Sequence, residues 1–216
     1  VTFQKGTTTI VLTATDGSNN TTASCTFTIT VNDVAAPTLS CPTNVTLNTA
    51  NGLCSQTYVL VDPVSDNCSG SVWNAAFSGN VNGNPNNLTG VADGTNSSAL
   101  TFQKGVTAIT YTATDASNNS AVSCAYSVTV IDNIAPVVTC PTSTTINTAQ
   151  GLCSQTFAIA DPVSDNCPGA TWSASFSGNP NGNPTNLNGI ADGTNGGNIT
   201  FQKGTTTVTY TAIDAS

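Results

Sequence analysis

Cysteine and aspartate are the residue types in this chain that could carry chemistry. There are eight cysteines, all eleven acidic residues are aspartates, and histidine, arginine, glutamate and methionine do not occur. No two cysteines form a C-x-x-C pair and no histidine could join them, so we expect no zinc site. Spaced, even-numbered cysteines in a chain rich in threonine and asparagine instead predict disulfide bonds, and therefore an extracellular or cell-surface location.

The same inventory excludes several function classes. No triad, glutamate pair or glycine-rich phosphate loop is present, so we expect neither an enzyme nor a cofactor. Three lysines against eleven aspartates give a net charge of −8, and without a basic stripe we expect no nucleic-acid partner. No apolar run approaches the roughly 20 residues that span a bilayer, so we expect no membrane insertion in this segment.

Repetition organises the chain. The FQKG tetrapeptide begins at Phe3, Phe102 and Phe201, 99 residues apart, and GLCSQT and DPVSDNC recur at the same interval. A 99-residue repeat matches a small domain of roughly 100 residues. Strand-like sequence stops at the APT and APV tripeptides, where we place boundaries. They predict C-terminal strands of a preceding repeat at 1–34, a complete domain at 35–133 and a domain lacking its last strand at 134–216.

Strand-forming patterns fill each repeat. Residues 122–131 alternate apolar and polar side chains with period 2, as in a half-buried strand. Short strands separated by Gly, Pro and Asn turns predict an all-β fold of tandem immunoglobulin-like β-sandwich domains. Residues 78–98 and their copy at 177–197 form a long Gly/Asn-rich loop, which we expect Leu88 and Val91 to pin to the core. Its role is either recognition or that of a passive surface loop.

Several motifs in a fixed order carry a family resemblance. CPTNVTL follows AAPTLS, and SDNC, FQKGTTTVTYTA, TDASNN and a C-x-[FY]-[ST]-[VI]-T-V strand complete the set. Together they resemble the HYR (hyalin repeat) family over essentially the whole chain. The resemblance implies an immunoglobulin-like fold, tandem arrays and extracellular proteins of adhesion or matrix, with no catalytic residues. Gln103 stands where the family usually has proline, which affects the local turn rather than the fold.

The resemblance also implies a disulfide pairing. Members of the family often keep the cysteine of the CP motif and that of the last strand, which match Cys41 and Cys124. The other two cysteines of the complete domain, Cys54 and Cys68, then form the second pair. That second pair recurs in the next repeat as Cys153–Cys167.

Two cysteines have no partner under this scheme. Cys25 would pair before Val1, and Cys140 after Ser216. Either the chain continues on both sides, or separate subunits join head to tail by strand donation. Copies of the repeat are the expected partners in both cases.

Some aspartates and asparagines are candidate sites. In the TATD and TAID turns an aspartate is expected to cap the turn by accepting a backbone N–H two residues on. Calcium, which prefers oxygen ligands, is the alternative at the domain junctions and beside the SDNC turn. Its candidate ligands are Asp33, Asp132, Asp62 and Asp66. Glycosylation candidates among the Asn-x-Ser/Thr sequons are Asn87, Asn96 and Asn198.

Two functional hypotheses follow. The first is a structural segment of a long extracellular fibre or surface stalk built of tandem disulfide-stapled domains. The second is an adhesin whose Asn/Gly-rich loops bind a glycan or a protein. Fixed junctions between repeats favour the fibre, whereas freely bending junctions with loops gathered on one face favour the adhesin.

Overall fold

The structure, a computed structural model, describes residues 1–215 and is all-β, which confirms the predicted fold class. The chain begins with an antiparallel hairpin of β1 (Gly6–Leu12) and β2 (Cys25–Val31). Two strand-rich units follow, each with its own hydrophobic cluster. The first cluster draws its residues from 39–130 and the second from 138–212.

The first unit holds nine strands in three hydrogen-bonded groups. A five-stranded sheet has the order β4-β11-β10-β7-β8, in which β4 and β11 are parallel and the other neighbours antiparallel. The pairs β5-β9 and β3-β6 complete the sandwich. Its strands are β3 (Thr38–Leu39), β4 (Val45–Asn48), β5 (Ser55–Val59), β6 (Val64–Ser65), β7 (Val72–Ser78), β8 (Leu88–Ala92), β9 (Ala99–Gln103), β10 (Gly105–Thr114) and β11 (Cys124–Ile131).

The second unit repeats most of this arrangement. Its groups are β16-β15-β18, β13-β17 and β12-β14. Residues 144–147, the repeat counterparts of β4, form no strand and are exposed. The reason is that β4 pairs only with β11, and the described residues include no counterpart of β11 in this unit. Its strands are β12 (Val137–Val138), β13 (Ser154–Ile159), β14 (Val163–Ser164), β15 (Thr171–Ser177), β16 (Leu187–Ala191), β17 (Gly197–Gln202) and β18 (Thr207–Ile213).

Alternation along β10 builds the core of the first unit. Ile109, Tyr111 and Ala113 point inward and are buried, as period-2 patterning requires. Trp73 packs edge-on against Tyr111, with ring centroids 5.6 Å apart. Such aromatic burial contributes roughly 1.5–3 kcal/mol for each side chain. The hydroxyl groups of Tyr111 and Tyr126 are 3.1 Å apart, so each has a hydrogen-bond partner inside the core.

The long Asn/Gly-rich loop is held to the sheet as predicted. Leu88 and Val91 lie in β8, opposite Ala75 and Trp73 of β7, and pack against the first hydrophobic cluster. Asn80 is buried at the start of the loop, and its Nδ2 donates to the Gln103 carbonyl at 3.0 Å. The loop is therefore held at its start by Asn80 and in its middle by β8, while most of its other side chains are exposed.

Candidate functional site: the junction between repeats

One predicted disulfide is present within the complete unit. Cys41, just after β3, is bonded to Cys124, the first residue of β11, with their Cα atoms 5.9 Å apart. The bond ties the first strand of the unit to its last strand. This pairing, which the family resemblance implied, is confirmed.

The second predicted pairing is wrong in both repeats. Cys54 is bonded not to Cys68 but to Cys167, 113 residues further along the chain, with Cα atoms 4.7 Å apart. Cys68 and Cys153, which the prediction paired with Cys54 and Cys167, are free thiols in the structure. The bond therefore joins two successive repeats, and no disulfide closes the SDNC turn onto its own domain.

The geometry of the sandwich explains the error. Cys54 lies next to the end of β11, since Lys104 donates its N–H to the Cys54 carbonyl and the Thr49 N–H bonds the Ile131 carbonyl. At about 3.3 Å per residue, β5 then carries the chain roughly 15 Å away from Cys54. The SDNC turn with Cys68 therefore lies at the other pole, beside Asp33 of the preceding repeat. A disulfide needs Cα atoms within about 7 Å, so the two poles cannot be joined within one domain.

Polar contacts surround the bond between the repeats. Asp132, at the end of the first unit, is 3% exposed. Its Oδ1 accepts from Asn166 Nδ2 at 3.2 Å, from Thr49 Oγ1 at 3.3 Å and from the Ile134 N–H at 3.2 Å. Its Oδ2 is 3.6 Å from the ammonium of Lys104. The two repeats thus share a buried carboxylate as well as a covalent bond.

Asn166 provides a second link at the same place. Its Nδ2 also donates to the Leu53 carbonyl, across the junction, at 3.1 Å. Because Asn166 immediately precedes Cys167, one short turn supplies both the disulfide and the hydrogen bonds. The DPVSDNC motif recurs in the sequence, but no sequence signal indicates that its asparagine contacts the neighbouring repeat.

The junction with the leading hairpin repeats the lysine–aspartate ion pair, but Cys68 forms no disulfide there. Lys5 Nζ donates to Asp33 Oδ2 at 3.2 Å, and this ion pair raises the pKa of the lysine. Asn119 Nδ2 lies 3.2 Å from the Asp33 carbonyl and 3.3 Å from that of Ala35. The Asp33 carboxylate in turn raises the pKa of the neighbouring Cys68 thiol.

Each junction also gathers three carboxylates that are far apart in sequence. In each group one carboxylate oxygen from every aspartate lies within 4.8 Å of the other two. We call these the carboxylate triads; they are Asp33, Asp66 and Asp115 at the first junction, and Asp132, Asp165 and Asp214 at the second. Three of the four calcium candidates from sequence, Asp33, Asp66 and Asp132, fall in the triads.

The fourth candidate lies elsewhere. Asp62 organises a loop, since its Oδ1 accepts the Val64 N–H at 2.9 Å and its Oδ2 accepts the Gly94 N–H. Asp115 is the aspartate of a TATD turn, and the predicted capping is confirmed: its Oδ1 accepts the N–H groups of Ser117 and Asn119, each at 2.8 Å. Asp115 therefore caps a turn and faces the junction at the same time.

Two carboxylates of the second triad, Asp132 and Asp165, have pKa values shifted in opposite directions. Burial alone would raise the pKa of Asp132, but the hydrogen bonds from Asn166 and the Ile134 amide, together with Lys104, leave it lowered. Burial raises the pKa of Asp165, and the charges of Asp214 and Asp132 raise it further. The N–H groups of the two residues after Asp165 approach it and lower its pKa, but neither forms a hydrogen bond of good geometry.

The remaining predicted site residues are on the surface. Cys25 and Cys140 are exposed free thiols. The glycosylation candidates Asn87, Asn96 and Asn198 are all exposed, and occupancy stays a prediction. The side-chain oxygens of Asn87 and Asn96 accept hydrogen bonds from the backbone N–H groups of Phe77 and Asp62, respectively.

None of the described residues belongs to a helix with the length and apolarity needed to cross a bilayer.

Two shallow pockets accompany these features. One, of about 260 Å³, lies between β13 and β17 of the second unit, and the other, of about 220 Å³, lies at the junction beside Cys54 and Lys104. Both are smaller than the roughly 300–1,000 Å³ typical of sites that enclose a small molecule.

Comparisons of sequence and of structure relate this chain to known proteins. The family model described as "HYR domain" matches residues 32–130. "Hyalin" from Strongylocentrotus purpuratus is 27% identical over 218 aligned residues, which cover 99% of this chain and 15% of hyalin, so the chain spans a small part of that relative. Among solved structures, an endo-fucoidan hydrolase of glycoside hydrolase family 107 is 14% identical in sequence, with a TM-score of 0.31. The superposition covers 98% of this chain and 34% of the hydrolase chain.

Proposed function

We propose that this chain is a structural segment of a long extracellular fibre or cell-surface stalk, because residues 32–130 match the model of the HYR domain, an extracellular and adhesion-related module. Tandem repeats supply its length, and disulfides between repeats supply its stiffness. This role requires no catalytic group and no cofactor.

The disulfide between Cys54 and Cys167 carries the proposal. A bond within a domain stabilises that domain, whereas a bond between domains limits how they rotate and bend. Relative motion is the default for domains joined by a short linker. Here the bond, the contacts of Asn166 and the buried carboxylate of Asp132 act together against such motion.

The repeat extends this pattern to the unpaired thiols. Cys68 corresponds to Cys167 and Cys153 corresponds to Cys54, each displaced by 99 residues. We therefore infer that Cys68 bonds a Cys54-type cysteine in a preceding repeat, and that Cys153 bonds a Cys167-type cysteine in a following one. Every junction of a long array would then be covalent.

Exposed apolar side chains favour copies of the repeat as partners. In β2 of the hairpin Phe27 is 44% exposed, whereas its counterpart Tyr126 in the complete unit is 6% exposed. Leu12 is 54% exposed, whereas its counterpart Tyr111 is fully buried. The faces that a complete domain buries are thus left open in the hairpin, and a further copy of the repeat covers them. The copy belongs either to the same continuous chain or to a subunit that donates its strands.

The first experiment is mass-spectrometric mapping of the oxidised chain without reduction, which should recover a peptide linking Cys54 to Cys167. Small-angle X-ray scattering then compares the parent with the double variant Cys54→Ser/Cys167→Ser, with the free thiols alkylated in both. The scattering curve of the parent should fit a single arrangement of the two repeats, whereas that of the variant should require several arrangements. Equal scattering from both would contradict a stapled junction.

Imaging of the native assembly tests the fibre itself. We expect unbranched filaments that persist without reductant. Isolated flexible monomers under the same conditions would refute the fibre. Denaturing gels run with and without reductant separate the two routes to it: a continuous array stays long after reduction, whereas disulfide-joined subunits collapse to one short species.

The adhesin remains the second candidate, because residues 78–98 are largely exposed and Val81 near their start is 96% exposed. Such a side chain is available for contact with a partner. A screen of glycans and matrix proteins against the full chain, with Val81→Ser as the matched variant, tests this role. Binding that Val81→Ser abolishes would favour the adhesin.

A further inference from the structure

The carboxylate triads hold the buried oxygens that lack hydrogen bonds. Within residues 1–215 five buried side-chain nitrogen or oxygen atoms have no hydrogen-bond partner. Four are carboxylate oxygens of the triads: one each from Asp66 and Asp132, and both from Asp165. The fifth is Oδ1 of Asn166, whose amide nitrogen contacts Asp132. Leaving a buried polar group without a partner is costly, so this concentration at two repeat-related places points to a ligand.

The second triad illustrates the arrangement best. The Asp132 side chain is fully buried, and its Oδ2 has an ammonium group at 3.6 Å but no hydrogen bond. Both oxygens of Asp165 are buried without one. Lys104 supplies one positive charge to three carboxylates, so a net charge of about −2 remains when all are ionised. A divalent cation neutralises that charge.

The separations of the oxygens are compatible with Ca²⁺, and the mixed donor set favours it over Mg²⁺. Two ligands on opposite sides of a Ca²⁺ ion, each about 2.4 Å from it, are about 4.8 Å apart. The triad oxygens all lie within 4.8 Å of one another, so a single Ca²⁺ can contact all three. Mg²⁺ binds at about 2.0–2.1 Å in a strict octahedron, which demands ligands closer together. Ca²⁺ also accepts neutral carbonyl oxygens such as Oδ1 of Asn166, and water at the open side.

We propose that each junction binds one Ca²⁺, held at the second junction by Asp132 of one repeat and by Asp165 and Asp214 of the next. Asp33, Asp66 and Asp115 form the equivalent site at the first junction. The ligands come from the end of one domain and from two turns of its neighbour, so bound Ca²⁺ clamps the repeats together. This inference is independent of the proposed fibre, since a flexible adhesin could bind Ca²⁺ equally well.

Isothermal titration calorimetry of the full oxidised chain, at pH 7 in 0.15 M NaCl, tests the site with CaCl₂ up to 20 mM. We expect two sites per chain, with Kd of about 0.1–1 mM, the range of extracellular modules. Asp165→Asn should remove one site or weaken it at least tenfold. Asp66→Asn should do the same at the other junction. Asp93→Asn removes one negative charge outside both triads and should leave both sites intact.

Folding is checked by the fluorescence of the buried tryptophans, so that a loss of binding in a folded variant is meaningful. Should Asp165→Asn fail to fold, Asp66→Asn carries the test alone. Absence of binding at 20 mM, or equal loss in Asp93→Asn and Asp165→Asn, would overturn the site. Equal affinity for MgCl₂ would overturn its assignment to calcium.

Discussion

Removing the disulfide between Cys41 and Cys124 should destabilise one domain and leave its neighbour unchanged. The two cysteines are 83 residues apart. For a loop of that length, chain entropy gives a contribution of about 4.6 kcal/mol to the free energy of unfolding. That is roughly a third to nine-tenths of the stability of a small domain, which is typically about 5–15 kcal/mol. With a slope of about 1.5 kcal/mol per M urea, the unfolding midpoint should fall by about 3 M.

The two tryptophans allow each domain to be followed separately. Trp73 lies in the first hydrophobic cluster and Trp172 in the second. Urea unfolding is measured by fluorescence for Cys41→Ser/Cys124→Ser and its parent, once with Trp172→Phe and once with Trp73→Phe. Each comparison is made within one background, so the cost of the tryptophan substitution cancels.

The midpoint reported by Trp73 should fall by about 3 M, or Trp73 should already be exposed without urea, while the Trp172 midpoint moves by less than about 0.5 M. Cys54→Ser/Cys167→Ser serves as the control, because it loosens the junction without opening either domain. Equal shifts at both tryptophans, or none at Trp73, would refute the assignment of this bond to the stability of a single domain.

Three other predictions follow from local geometry. Gly105→Ala should destabilise the first unit by roughly 1–3 kcal/mol, because φ is +120° and the added Cβ would lie 2.8 Å from Asn80 Oδ1; thermal unfolding measures it. Without calcium, the Asp115 carboxyl should titrate below the usual range, since burial raises its pKa but the hydrogen bonds at its turn outweigh that effect. The ionised Asp115 carboxylate then contributes its full stabilisation at pH values above its pKa in the unfolded chain. This stabilisation is lost as the pH falls through its lower pKa in the folded protein, and carbon-13 NMR of the carboxyl group follows the titration. Maleimide at pH 8 should label the exposed Cys153 faster than the half-buried Cys68, whose thiol pKa is raised.

Each of these has its own check. Gly90→Ala places a side chain at φ +65° with no atom within 4 Å, so it should cost only about 1–2 kcal/mol. An equal cost for Gly90→Ala and Gly105→Ala would show that the contact with Asn80 is unimportant. An ordinary titration midpoint for Asp115 would contradict its capping role. Faster labelling of Cys68 than of Cys153 would place the SDNC turn in more solvent than the structure gives it.

Much of the domain follows from local pattern. Period-2 alternation in β10 and β11, turn residues between strands and the 99-residue repeat are enough to indicate an all-β tandem array. The short strand β8 was also predictable, because Leu88 and Val91 are isolated apolar residues in a polar loop. These features depend on neighbours in sequence or on the face of a single strand, both of which the sequence displays directly.

The junction was not predictable in the same way. Cys54 and Cys68 are close in sequence and belong to one repeat, yet β5 carries the chain from one pole of the sandwich to the other between them. The contacts of Cys54 are therefore with the next repeat and those of Cys68 with the preceding one. Sequence alone determined the repeat, the strands and the Cys41–Cys124 bond that the family resemblance implied. Only the tertiary structure decided which cysteines and carboxylates meet, because that depends on how strand direction places each turn at one end of a domain or the other.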